Sequence, residues 1–74
     1  MPTFFIIDGV KIVLYFNDHN PPHFDAIIAE YDALVEIETV EIMQGELPKN
    51  KRQRVLEWAQ NHRDQLWEIW EALN

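Results

Sequence analysis

Two of the chain's three histidines and two carboxylates fall within eight residues, Asp18-His19-Asn20-Pro21-Pro22-His23-Phe24-Asp25. Neutral imidazole and carboxylate together suit Zn²⁺, Ni²⁺, Mn²⁺ or Fe²⁺. The same groups also serve as general acids and bases. Pro21 and Pro22 forbid a helix here, so the pair is not a helical His-x-x-x-His site. They would instead hold His19 and His23 in a fixed relation. The catalytic candidates are therefore Asp18, His19, His23 and Asp25. As a metal centre the ligands would be His19, His23 and Asp25, with Asp18 as another ligand or a general base. A plainer alternative stands beside this one: Asp18 and Asn20 make Asx-type turn bonds and His23 supports the loop.

A second cluster is basic. Lys49, Lys51, Arg52 and Arg54 gather where a helix should begin. Positive side chains there oppose the helix dipole, so an anion, a phosphate backbone or an acidic partner would suit them. A solvated basic face is the alternative. His62 falls on the apolar stripe of the same helical segment and reads as a boundary histidine. The sequence has no Ser and no Cys, which excludes nucleophilic triads built on either and thiolate metal sites. Gly9 and Gly45 are the only glycines, so no Gly-rich phosphate loop exists.

These residues must be positioned by a small frame. The chain has 74 residues, read as one domain. A domain of this size buries only about 60% of its unfolded surface, and a metal or a partner chain is a common staple. The formal net charge is -7, which opposes binding nucleic acid without help. No Lys or Arg lies between Ile12 and Pro48, where eight acids do. Such a body would attract a basic partner, or simply stay soluble. The start, Met1 to Asp8, lacks the basic and small-residue marks of a signal peptide. No apolar run approaches the ~20 residues of a membrane helix. The expectation is a cytoplasmic protein with no membrane contact.

Asp8-Gly9 between Thr3–Ile7 and Val10–Phe16 is a two-residue hairpin signal, because type I′ turns need positive φ. The implied pairs are Ile7 with Val10, Phe5 with Ile12 and Thr3 with Leu14. The opposite face would carry Phe4, Ile6, Val13 and Tyr15, leaving a hairpin apolar on both sides. A third strand is expected from His23 to Ala29, a turn at Glu30–Asp32, and a fourth strand from Ala33 to Glu38. A short fifth strand follows at Val40–Met43. Pro48 marks a helix entry, with Asn50 and Gln53 resembling a capping box. A 3.6-residue stripe then runs from Val55 to Leu73. The fold class is thus α+β: an antiparallel sheet of four to five strands over 1–45, packed by one long amphipathic helix over 48–73. At about 36 Å that helix would outrun the strands unless it bends near Asn61. Trp67 and Trp70 would overhang and join Phe4, Ile6, Val13 and Tyr15 as an interface, in a homodimer or with a small protein partner.

The opening Met-Pro-Thr and Ile-Asp-Gly, then Tyr-Phe-Asn-Asp-His-Asn-Pro-Pro-His-Phe, resemble the bacterial domain-of-unknown-function family 4160. Gly-Glu-Leu-Pro, Val-Leu-Glu-Trp-Ala and His-Arg-Asp-Gln-Leu are similar to that family's helical half. The resemblance implies a small regulatory or interaction protein, toxin–antitoxin-like, with no assigned reaction. The family's further histidine after Phe24 is replaced here by Asp25. Two functions are therefore expected in competition. One is an antitoxin-like interaction module or subunit of a small complex. The other is a metal-dependent hydrolase or nuclease, or a metal-binding module, built on His19 and His23.

Overall fold

The computed structural model describes residues 3–74. Five strands form one antiparallel sheet in sequence order: β1 (Thr3–Ile7), β2 (Val10–Leu14), β3 (His23–Ile28), β4 (Tyr31–Glu36) and β5 (Glu41–Glu46). Two helices follow, α1 (Lys49–Asn61) and α2 (Arg63–Leu73). The α+β class and the five-stranded antiparallel sheet agree with the sequence reading.

The first hairpin is as its turn residues require. Asp8 and Gly9 hold φ of 52° and 81°, and the register pairs Thr3 with Leu14, Phe5 with Ile12 and Ile7 with Val10. The second hairpin differs from expectation. Its turn is Ala29-Glu30, with Ala29 at φ 53°, and β4 begins at Tyr31 rather than Ala33. No glycine or Asn-Gly marks that turn, so the Glu30-Tyr31-Asp32 cluster, offset by one residue, reads as the break. Strand β5 also runs further than expected, through Gly45. A bulge opposite Leu34/Val35 shifts its register. Gly45, at φ 79°, lies so close to β4 that a Cβ would collide with the Asp32 carbonyl.

Side chains alternate across the strands. One face collects Ile12, Leu14, Phe24, Ala26, Ala33 and Val35, all at or below 1% exposure. Val55 and Ala59 of α1, with Leu66 and Trp70 of α2, join that core. Trp58 packs on Phe5 (centroids 5.2 Å) and edge-on to Phe24 (6.3 Å).

The single long helix is replaced by two. His62 leaves the helical region at φ -126°, ψ 21°. Its N–H donates to the Ala59 carbonyl, its ring Nδ1–H donates to the Trp58 carbonyl at 2.7 Å, and the ring stacks on Trp58. These bonds close α1 and divert the chain. One non-helical residue leaves the apolar period almost in phase, which is why periodicity alone suggested continuity. The molecule extends only 30 × 22 × 20 Å, so a straight helix of about 36 Å would project beyond it. Trp70 does not overhang: it is 5% exposed, and Trp67 is half-buried against the core. The capping box is also absent, for α1 starts at Lys49 behind Pro48 with no side-chain cap.

Candidate functional site

The helices cover one face of the sheet. On the other face a row runs Phe4, Val13, Asp25, Leu34, Gln44 across all five strands. A pocket of about 380 Å³ opens beside that row, lined by Tyr15, Asp18, His19, Asn20, Pro21, His23, Asp25, Leu34 and Met43.

Its polar group is set by β3 and the loop before it. His23 and Asp25 are two apart on a strand, so the pleat directs both to one side. The loop carrying Asp18 is tied at both ends. Asn17 N–H donates to the Leu73 carbonyl, and Asp18 N–H donates to Asn74 Oδ1 at 2.7 Å. Ile37 N–H donates to the Pro22 carbonyl at 3.0 Å. The Asn20–Pro21 peptide is cis. The end of α2 and the end of β4 thus hold Asp18 over the start of β3.

His23 is 7% exposed and packs against the Trp70 ring, with centroids 5.5 Å apart. Its Nδ1 lies 2.9 Å from the Pro21 carbonyl. A carbonyl only accepts, so Nδ1 carries the proton. Its Nε2 lies 3.1 Å from Asp18 Oδ2. Asp18, His23 and Asp25 each offer a donor atom within 4.8 Å of the others. Burial, chiefly, pushes the Asp25 carboxyl above its ordinary value, and the Asp32 and Asp18 charges add to the push while His23 opposes it. Burial and the nearby Asp25, Asp32 and Asp18 charges also raise the Tyr15 hydroxyl, which stays a proton donor at the rim.

The structure therefore gathers three of the four candidate catalytic residues and leaves out the fourth. His19 is exposed on the pocket rim, and its backbone N–H, not its ring, bonds Asp18 Oδ1. Its position after a tight turn carried no sequence signal. The parity of His23 and Asp25 did, once β3 was assigned. The supporting Asn74 is 56 residues from Asp18, a contact no local pattern reports.

The basic cluster lies elsewhere. Lys51 Nζ donates to the Asp8 carbonyl at 2.9 Å and pairs with Asp8 Oδ2 at 3.3 Å, pinning the hairpin turn to α1. Lys49, Arg52 and Arg54 are exposed. Of the expected interface residues, Val13 (4% exposed) and Trp70 are covered by the chain itself. Phe4 (55%), Ile6 (59%) and Tyr15 (39%) stand open, joined by Phe16 (53%) and Met43 (38%), which the sequence reading did not include.

A five-stranded antiparallel meander with two helices on one face, and a carboxylate–histidine pocket at the margin of the other, defines a small α+β domain. The chain belongs to the family described as Domain of unknown function (DUF4160), whose model matches residues 9–71. No curated protein and no solved structure matches it. Among the described residues, no helix is long and apolar enough to cross a membrane.

Proposed function

We propose that the chain is a small interaction module, antitoxin-like or a subunit of a small complex, which meets its partner through the sheet face that the helices leave open. One observation carries this reading: Phe4, Ile6, Tyr15, Phe16 and Met43 are large, apolar and exposed. Isolated exposed apolar residues are ordinary, but this set is drawn from β1, β5 and the loop that follows β2, around one sheet face and its margin. The charge of -7 favours a partner with a basic rim, whereas a second copy would have to be held by apolar contact against like-charge repulsion.

The test is association of the wild type and a Phe4→Ser/Ile6→Ser variant, followed by light scattering after size-exclusion chromatography, alone and with proteins encoded nearby. Both positions are more than half exposed, so the variant is expected to fold as the wild type does while its association weakens at least about tenfold, about 1.4 kcal/mol. A wild type that stays monomeric and binds none of those proteins would count against the proposal.

A further inference from the structure

We propose that Asp18, His23 and Asp25 form a site for one divalent transition-metal ion. The reading is independent of the partner surface, and the ligand set differs from the sequence expectation in that His19 drops out, while Asp18, there another ligand or a general base, serves as a ligand.

The first support is the hydrogen-bond accounting at His23. The side chain is more than nine-tenths buried. Its Nδ1 proton is committed to the Pro21 carbonyl. Its Nε2 faces Asp18 Oδ2 at 3.1 Å, a contact made favourable by a proton on Nε2 or by a cation that both atoms ligate. A metal ion seated beside the two atoms would take the place of that proton, and 3.1 Å is a separation that two ligands of one ion can have. A backbone carbonyl receiving the far ring N–H is the usual outer support of a metal-bound histidine, fixing tautomer and ring plane together.

The second support is charge. Two carboxylates converge here with Asp32 nearby, and no Lys or Arg lies between Ile12 and Pro48. Among the described residues Asp18 contacts the His23 ring and the Lys or Arg ion pair is Asp8 with Lys51, so Asp25 has no Lys or Arg partner. One divalent ion balances the two carboxylates. The third is geometry. Donors lie about 2.0–2.2 Å from Zn²⁺, so any two are at most about 4.4 Å apart. The three atoms within 4.8 Å of one another need only small side-chain rotations to reach that. The pocket leaves room for water or another ligand on the open side. One imidazole with two carboxylates suits Zn²⁺, Mn²⁺, Ni²⁺ or Fe²⁺.

The experiment is calorimetric titration of Zn²⁺ into the metal-free full chain, with Co²⁺ absorption in the visible as a report on the ligands. Wild type is expected to bind close to one equivalent, and its melting temperature to rise with Zn²⁺. Asp25→Asn and Asp18→Asn should weaken binding at least about tenfold and change the Co²⁺ spectrum, while His19→Ala should retain both. His23→Ala removes a ring packed on Trp70, so the two isosteric Asn variants, with circular dichroism confirming their fold, decide the matter. No binding by the wild type, or equal binding by a folded Asp25→Asn variant, overturns the site. So does binding lost with His19→Ala and kept with Asp18→Asn.

Discussion

At the residue scale, Asp25 is the group most at odds with its surroundings. It is half-buried and faces Asp32 and Asp18, and its carboxyl is held above the ordinary 3.8. Between 3.8 and the raised value the folded chain therefore keeps a proton that the unfolded chain has already released. Without metal, stability should fall as pH rises from 3.8 through the raised value, and the penalty is complete above it. Asp25→Asn removes that penalty. In urea unfolding near neutral pH the metal-free variant should be more stable than wild type, and near pH 3 that advantage should vanish. A variant less stable than wild type at neutral pH, without metal, would contradict this assignment of the shift. Part of this site was readable beforehand. Asp18, His23 and Asp25 were marked by residue type, and the pleat of an assigned strand puts two of them on one side. What the sequence hid was the direction of His19, which depends on the path of the loop through Asn20, Pro21 and Pro22, and the support from Asn74, which depends on where α2 ends in space.

At the scale of elements, the turns with strong local chemistry were readable and the others were not. Asp8-Gly9 fixed both turn and register because few residue pairs adopt two positive φ angles readily. Ala29 and Val40 adopt positive φ with no such signal, so the second turn and the start of β5 were misplaced by a residue or two. The helix break at His62 was hidden for the opposite reason: one residue outside the helix barely disturbs the apolar period. The glycines give a test of the β4–β5 pairing. Both hold positive φ, yet a Cβ at Gly9 meets only Ile28 at 3.8 Å, whereas at Gly45 it collides with backbone. Gly45→Ala should cost roughly 1–3 kcal/mol in thermal or urea unfolding, and distinctly more than Gly9→Ala. Equal losses would mean that β5 does not approach β4 as described.

At the scale of the whole molecule, the distribution of apolar side chains between the two faces is what matters. One face is sealed by Val55, Ala59, Leu66 and Trp70. The other presents aromatic and aliphatic side chains to solvent beside a polar pocket. The hairpin that reads as apolar on both sides foreshadowed this, because cross-strand partners share a face whatever covers it. The helix packing that determines which face is sealed could not be read the same way. It buries Trp70, once expected to reach outward, and leaves Phe16 and Met43 open. The sheet's two edges, β1 and β5, flank the open face, so a partner seated there would also shield unpaired strand edges.

The measurement that bears most directly on this account is photo-crosslinking in the native host from a reactive residue placed at Ile6, compared with one placed at Glu68 on the outer side of α2. A discrete adduct from position 6, of the mass of a second copy or of one small protein, with none from position 68, is the predicted result. Adducts from position 68 alone, or none from either, would contradict the claim that the open sheet face is the contact surface.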